Sequence, residues 1–304
     1  MKSRNQWISC KIMFTKKLPP AKMASMTRNA RRRLFYALLA LFLVFGTGIV
    51  LYAQGWRFDF STGKFGEVGA IYVRSFPDYA QITLNGKPIQ SQVGFLSPGT
   101  LISNLFPKNY EVGLSVPGYD RWTEKAAVAP MLVTEFKYAV LVPQNATDTA
   151  SGTKAIILTL QSSTRAIASA AIAARHLTLA GGNLLIGSTT LANDVRSFSL
   201  SADGTTVAAL ENKSIEVFSF NNRSTYYRFN LPNLANIKQL VWYRDDEHLF
   251  VIYPNSISFL DLADTSLVNF TTIGTEISFA AYDPDANVLY VTQQRKLKEY
   301  RFPL

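Results

Sequence analysis

The chain has 304 residues, with 31 Lys and Arg, 21 Asp and Glu and one Cys, which leaves room for about two domains and a well-buried core. A single cysteine excludes a disulfide-stapled miniprotein, and 48% apolar with only 17% charged residues argues against wholesale disorder. Ten of the 31 cations lie in residues 1–33, which contain no Asp or Glu, so the other 271 residues carry 21 charges of each sign. This distribution argues against nucleic-acid binding, which needs cations spread over a folded surface.

An uncharged apolar run follows the basic tail and covers residues 34–53. As a helix it would span about 30 Å, the thickness of the hydrocarbon core of a bilayer. The sequence therefore predicts one transmembrane helix, with membrane-anchoring residues that include Leu34, Leu41, Val50 and Ala53. The positive-inside rule keeps the tail of residues 1–33 in the cytoplasm and places the C-terminal domains outside the cell membrane, its topology signal being Arg31, Arg32 and Arg33.

Two alternatives concern this N-terminal region. A signal peptide cut after Ala53 would place Leu51 where the peptidase requires a small residue, and the apolar run is longer than usual, so an uncleaved anchor is favoured. Translation from Met26 would shorten the tail, whereas the longer form adds a segment that would lie on the membrane surface. The only cysteine, Cys10, lies in this tail, so the residues after the helix must fold without disulfides.

Residues 67–143 are predicted to form a small all-β domain, because short strand patterns alternate with turn residues. Asn85-Gly86 suits a two-residue hairpin turn. Two runs alternate apolar with other residues, namely Tyr110, Val112, Leu114 and Val116 in one and Phe136, Tyr138, Val140 and Val142 in the other. About seven strands with one apolar face each predict a sandwich or a Greek-key barrel.

The stretch from Ile71 to Gly86 resembles the first hairpin of PEGA domains, a family named for a Pro-Glu-Gly-Ala signature. Pro77 and Ala80 match this signature, whereas Asp78 and Tyr79 depart from it. The full set of PEGA-like positions is Pro77, Ala80, Gly86, Pro98, Gly118 and Tyr119. The resemblance implies a bacterial or archaeal envelope domain that accompanies membrane anchors and serves in binding or spacing. It implies no catalytic residue.

Residues 144–154 are small and polar and are predicted to form a linker. Three similar units follow, each with a strand, an Asp-containing turn, a second strand, a short turn and a third strand. Their turn residues Asp203, Asp246 and Asp285 lie 43 and 39 residues apart, near the period of about 40–45 residues of a four-stranded blade. The pattern resembles the β-propeller superfamily of WD-type and TolB-like repeats.

Residues 155–304 are therefore predicted to form a β-propeller-like domain of about three to four blades. Apolar strands at 177–179 and 184–186, around Gly181-Gly182, would form a fourth, irregular unit. Closed propellers usually have at least four blades, so the ring is open or small, takes strands from another chain, or is a short version of a longer relative. An open edge would favour self-association through strand addition. The state of the Ala-rich stretch 166–174 stays undecided.

Signals for chemistry are weak throughout the chain. There is no nucleophile elbow, phosphate loop or dinucleotide fingerprint. His176 and His248 have no His or Cys nearby and are predicted to be surface or turn residues. Asp245-Asp246-Glu247 is predicted to be a solvated turn rather than a cation site. Ser201–Gly204 and Asp283–Asp285 are predicted to form turns rather than to supply acid/base groups. Packing in the core or at the rim is the default for Trp242, Tyr243, Tyr226 and Tyr227. No catalytic residue, metal site or cofactor is predicted.

Together these observations predict a mainly β protein with one N-terminal transmembrane helix, a small PEGA-like sandwich and propeller-like repeats. The predicted function is that of a non-catalytic binding or scaffolding protein of the prokaryotic cell envelope. Its partners would be the lipid bilayer, an envelope protein or a glycan, and not nucleic acid. The alternative is an extracytoplasmic carbohydrate-active hydrolase that uses Asp or Glu on the propeller face.

Overall fold

The computed structural model describes residues 27–60, 63–90, 98–149, 176–220, 225–263, 267 and 269–303. The chain divides into two units, Met1–Gln54 and Gly55–Leu304, and the second is called the β unit below. Several predicted features lie outside the described residues. They are the tail up to residue 26 with Cys10, the C-terminal part of the linker, the first part of the repeat region with its Ala-rich stretch, and the side chain of Tyr226.

Helix α1 covers Arg28–Ala53 and begins six residues before the predicted anchor. The hydroxyl of Thr27 caps it by accepting the N–H of Ala30 at 3.4 Å. It ends at Ala53, two residues before Gly55, whose φ of 86° suits a left-handed helix terminus. None of its residues is buried, and an 18-residue stretch of the helix has a mean hydropathy of 2.5, so the helix is long and apolar enough to cross a membrane. The arginine cluster and all four predicted anchor residues lie within this helix.

A two-stranded hairpin, β1 (Trp56–Asp59) and β2 (Lys64–Glu67), opens the β unit. The sandwich module follows and consists of β3 (Gly69–Phe76), β4 (Gln81–Leu84), β5 (Lys87–Ile89), β6 (Thr100–Leu105), β7 (Asn109–Ser115), β8 (Trp122–Ala127) and β9 (Val133–Val140). One sheet has the order β6-β3-β9 and the other the order β5-β4-β7-β8. The described residues of this module form seven strands, the number expected, and β3 pairs in parallel with β9. The predicted turn joins β4 to β5, with φ of 50° at Asn85 and 75° at Gly86.

The two predicted alternating runs have different outcomes. All four residues of the first, on and just after β7, are buried in the sandwich core as predicted. The prediction for the second is wrong. Phe136 packs against the sandwich core, Tyr138 is 39% exposed, and Val140 and Val142 belong to the core of the repeats. Opposite the segment from Val73 to Ser75 of β3, strand β9 contains one extra residue, because Val73 pairs with Phe136 and Ser75 with Ala139. Such a bulge moves every later side chain to the opposite face of the strand.

The repeat module contains β10 (Thr147–Asp148), β11 (Leu177–Ala180), β12 (Asn183–Ile186), β13 (Thr189–Ala192), β14 (Val195–Leu200), β15 (Thr206–Glu211), β16 (Ile215–Ser219), β17 (Thr225–Phe229), β18 (Gln239–Trp242), β19 (His248–Ile252), β20 (Ser256–Asp261), β21 (Thr271–Thr275), β22 (Ile277–Asp283), β23 (Val288–Gln293) and β24 (Lys296–Arg301). A single 3₁₀ turn, Leu234–Asn236, precedes β18. The three predicted units correspond to β14–β16, β18–β20 and β22–β24, and the irregular unit corresponds to β11–β13.

These strands form four antiparallel sheets. Their orders are β11-β12-β13, β14-β15-β16-β17, β18-β19-β20-β21 and β22-β23-β24-β10. Three apolar clusters join each sheet to the next along the chain, and the last cluster also contains Val140 and Val142 from the end of the sandwich module. Within the predicted linker, Thr147 and Asp148 pair with β24 and complete the last sheet. The fold is thus mainly β.

Candidate functional site

Aspartates shape the first turn of each complete repeat sheet. Oδ1 of Asp203 accepts the Ser201 hydroxyl at 2.6 Å and the backbone N–H of Thr205 at 2.9 Å. Oδ1 of Asp245 accepts the N–H of Glu247 at 3.0 Å, and Oδ1 of Asp283 accepts the N–H of Asp285 at 3.0 Å. The prediction that these acids form turns is therefore confirmed. The other carboxylate oxygen of Asp245, Oδ2, contacts His248.

His248 begins β19 and bridges two aspartates. Its Nδ1 lies 2.7 Å from Oδ2 of Asp245, and its Nε2 lies 3.7 Å from Oδ2 of Asp261. The ring also stacks on Phe259, with the centroids 4.8 Å apart. Its side chain is only 1% exposed, so the prediction of a surface or turn histidine is wrong. The reason is that the first four residues of β19 are all buried between neighbouring sheets.

The ionisation of His248 depends on the two aspartates beside it. Burial alone would lower the pKa of His248, but Asp245 and Asp261 outweigh it and raise the pKa to about 10. Burial likewise opposes ionisation of Asp261, yet the charge of His248, together with hydrogen bonds from His248, Ala263 and Trp122, lowers the pKa of this carboxyl. At neutral pH the group is therefore an imidazolium held between two carboxylates, which is the pairing that a buried charge requires.

The same group reaches into the sandwich module. The indole Nε1 of Trp122, on β8, donates to Oδ2 of Asp261 at 3.4 Å. Beside it, the amide of Asn269 accepts the N–H of Thr123 at 3.0 Å and donates to the carbonyl of Thr123 at 3.0 Å. Because β8 is an edge strand, Asn269 satisfies backbone groups that no neighbouring strand would pair. Trp122, Asp261 and Asn269 thus join the two modules.

A cavity of about 210 Å³ lies at this junction. Its walls come from β8 and β9 of the sandwich module and from the repeat residues around His248. Its charged residues are the carboxylates Glu124, Glu135, Glu247 and Asp261 and the cations Lys137 and His248. Lys137 and Glu135 form an ion pair at 2.6 Å. With four acidic side chains against two basic ones, acidic groups predominate in the lining of the cavity.

Glu247 differs from the other acids of the cavity. Burial raises the pKa of its carboxyl, the neighbouring Asp245 adds to this effect, and His248 opposes it. Asp245-Asp246-Glu247 therefore forms the predicted turn, but its three residues are partly buried rather than fully solvated. Among the described residues, no group of three or more His, Cys, Asp or Glu could hold a metal ion.

Replacing Asp246 with asparagine should stabilise the β unit at pH 7. Oδ1 of Asp246 accepts the N–H of Ala202 at 3.1 Å, and burial, with Asp203 and Asp245, raises the pKa of Asp246 to about 6. Ionisation of Asp246 therefore destabilises the folded state, and this penalty develops between about pH 4 and pH 6 and is complete above that range. Asparagine keeps the acceptor and tolerates the φ of 58°. After solvent screening we expect a gain of about 1 kcal/mol at pH 7 that disappears below about pH 4.

Urea unfolding at pH 7 and pH 4 measures this effect. The matched control is Asp285→Asn, because Asp285 lies in an equivalent turn but is exposed. The control should change the free energy of unfolding by less than about 0.5 kcal/mol at both pH values. Equal stability of Asp246→Asn and the unmodified chain at pH 7 would contradict the prediction.

The PEGA-like residues lie apart from the cavity and occupy turns and packing positions of the sandwich module. Ala80 is buried in the sandwich core, and Tyr119 packs against its edge. Pro77 directly follows β3, Gly86 lies in the turn from β4 to β5, Pro98 precedes β6, and Gly118 has a φ of 85° before β8. None of the six lines the cavity. Core packing is confirmed for Trp242 and Tyr243, which are 7% and 3% exposed.

Sequence reasoning missed the site because its members come from both modules. Trp122 and Asp261 are separated by 139 positions, and each looks like an ordinary strand residue. One local signal was present. His248 follows an acidic turn and opens the apolar run Leu249–Ile252, and a polar residue at the start of a buried strand needs a partner.

Comparisons with known proteins add little to this geometry. No protein-family model matches the chain, and no curated protein matches it. Among solved structures, the chain is similar to part of one titled "Crystal Structure of Mitotic Checkpoint Complex", with 19% sequence identity and a TM-score of 0.30. The similarity covers 38% of this chain and 39% of that one. At this TM-score it carries no argument about fold or function.

Proposed function

We propose that this protein is a membrane-anchored, extracytoplasmic binding protein of the prokaryotic cell envelope, and that its cavity receives a cationic side chain of a protein partner. Helix α1 would be the single-pass anchor, because it is long and apolar and none of its residues is buried. The Arg31–Arg33 cluster would keep the N-terminus in the cytoplasm, which places the β unit outside.

The arrangement of the β unit supports such a role. We propose that the four repeat sheets form a propeller, because each packs on the next and β10, from before the repeats, completes the last sheet. In the same proposal the sandwich module is a PEGA-like domain, whose landmark residues lie at its turns. Both would serve as rigid scaffolds that position the junction.

The observation that carries the binding proposal is the acidic cavity between the modules. Pockets for small molecules usually enclose about 300–1,000 Å³, so a cavity of about 210 Å³ suits one side chain better than an oligosaccharide. Glu135 and Glu247 line it from different modules, so a lysine or arginine inserted there would be attracted by acidic side chains of both modules. A partner protein that presents such a residue is therefore favoured over a glycan.

Titration of the full chain in nanodiscs with N-acetyl-arginine amide tests the proposal. We expect saturable binding, reported by Trp122 fluorescence or by NMR, with a dissociation constant of about 1 mM. The neutral isostere N-acetyl-citrulline amide should not bind. The double variant Glu135→Gln/Glu247→Gln should weaken binding at least about fivefold. Glu111→Gln, an exposed control on β7 outside the cavity, should bind normally. Equal binding of arginine and citrulline amides would contradict the proposal.

A second candidate function is hydrolysis of an envelope glycan. The observation in its favour is that burial raises the pKa of Glu247 while the partners of Asp261 lower its pKa in the same cavity. Such a separation suits an acid paired with a base. Release of reducing ends from purified envelope glycan, abolished by Glu247→Gln, would favour the enzyme. Binding without turnover would favour the first function.

A further inference from the structure

Exposed apolar side chains of the β unit are concentrated near its first residue. Among the described residues of this unit, ten large apolar side chains are exposed, and six of them belong to two short segments. The hairpin β1–β2 carries Phe58, Phe60 and Phe65, which are 39%, 90% and 68% exposed. The connection from β8 to β9 and the first residue of β9 carry Met131, Leu132 and Val133, which are 63%, 62% and 49% exposed. We call these six residues the apolar rim.

Backbone hydrogen bonds tie both segments to the first residue of the β unit. The N–H of Val68, directly after β2, donates to the carbonyl of Gly55 at 3.0 Å. The carbonyl of Val68 accepts the N–H of Met131 at 3.0 Å, and the N–H of Ala70 donates to the carbonyl of Leu132 at 3.0 Å. Both parts of the rim are thus held by one short stretch of chain.

Each part of the rim is also packed locally. The rings of Phe58 and Phe60 meet edge to face at 5.1 Å, and those of Phe58 and Phe65 at 5.0 Å. A Cβ placed on Gly69 would lie 2.8 Å from the carbonyl oxygen of Leu132, so the connection packs directly on the β3 backbone. The three rings of the hairpin thus form one cluster, and the second segment of the rim is packed on the sandwich module although its side chains stay exposed.

Chain length limits where this rim can be. Helix α1 ends at Ala53 and β1 begins at Trp56, so the hairpin starts within about 11 Å of the helix end. If α1 crosses the bilayer, the hairpin begins at the headgroup layer, where aromatic side chains are favoured. The charges of the hairpin cancel, with Arg57 and Lys64 against Asp59 and Glu67. Apolar burial rather than attraction to anionic lipid would drive the contact.

We infer that the apolar rim is a membrane-contacting surface that inserts into the interface of the same bilayer that α1 crosses. The inference rests on the anchoring part of the proposed function and goes beyond it. A single helix alone would leave the β unit free to tilt on the short segment after Ala53. Insertion of six apolar side chains adds a second attachment and holds the sandwich module against the lipid headgroups.

Spin labels on the full chain in phosphatidylcholine vesicles test this inference. In a Cys10→Ser background, labels are placed through Phe60→Cys and Leu132→Cys. Tyr79→Cys and Leu179→Cys serve as controls, because both residues are exposed and lie outside the rim. For each label, accessibility to oxygen is divided by accessibility to a water-soluble nickel complex. This ratio should be at least about threefold higher for the labels at positions 60 and 132 than for the control labels.

Each other outcome overturns the inference in a recognisable way. Labels at the rim that are as open to the nickel complex as those at the controls mean that the rim faces water. Low access of both reagents means that a protein surface covers it. If the protein does not float with the vesicles, the anchor and the rim contact both fail. Flotation with a water-exposed rim would overturn the rim contact alone.

Discussion

Replacing His248 with alanine should lower the free energy of unfolding of the β unit by about 3–5 kcal/mol at pH 7. The variant removes the cation between Asp245 and Asp261, and both carboxylates stay buried, with side chains 10% and 7% exposed. Urea unfolding followed by tryptophan fluorescence measures the loss. If His248→Ala does not fold, His248→Gln keeps most of the volume and should still lose more than about 2 kcal/mol.

The pH dependence distinguishes loss of charge from loss of packing. The folded pKa of His248, about 10, lies above the unfolded value near 6.5. Its contribution to stability is therefore complete below about pH 6.5 and is lost as the pH rises through about 10. The difference between the unmodified chain and His248→Gln should shrink over this range. The control His176→Asn changes the other histidine, which is exposed at a φ of 53°, and should have little effect. A difference that does not vary with pH would contradict the ionic role.

Truncation of Trp122 is the second change for which we expect a large effect. Trp122 is 5% exposed in the sandwich core, and its ring meets Phe136 edge to face at 5.3 Å. Trp122→Ala should cost about 3–5 kcal/mol, because it leaves a large void and removes the donor to Asp261. Trp122→Phe keeps most of the packing and should cost about 1–2 kcal/mol. Denaturant unfolding of the full chain in nanodiscs provides both values.

Trp242 provides a control that distinguishes the role of Trp122 at the module junction from ordinary core packing. Trp242 is 7% exposed, and its Nε1 donates to the carbonyl of Ser199 at 3.0 Å within the repeat module. Trp242→Phe should destabilise the chain by a similar amount. Only Trp122→Phe should raise the pKa of Asp261, because the indole N–H stabilises the ionised carboxylate. NMR titration of Asp261 reports this difference, and an equal effect of both variants would exclude a specific role for Trp122 at the junction.

Much of the repeat module could be predicted because its signals are local. An aspartate that accepts a backbone N–H two residues later forms its turn with no help from distant residues, as at Asp245 and Asp283. Apolar residues on either side of such turns then define the strands. The aspartates that cap the turns are Asp203, Asp245 and Asp283. The sequence alignment used Asp246 and Asp285 for the second and third turns, which lie one and two positions after the capping residues. The error did not change the predicted units.

The prediction for β9 was wrong because the side-chain orientation of this strand depends on its pairing with a distant strand. Alternation of apolar residues assumes one continuous pairing, and the sequence contains no signal for the extra residue that β9 gains opposite β3. The bulge turns Val140 and Val142 toward the repeat core, while Ala139 and Leu141 enter the sandwich core. A prediction from period alone therefore assigned these valines to the wrong module.

The apolar helix, the mainly β character of the rest and the Asp-capped turns could be read from the residues alone, since each depends on residues within a few positions of one another. Three features emerge only when the chain is folded: His248 as a buried cation, the acidic cavity between the modules and the apolar rim near Gly55. These features depend on contacts between distant segments, such as the one between Trp122 and Asp261, 139 positions apart. Burial and neighbouring charge set the ionisation of such groups, and neither is a property of the residue alone.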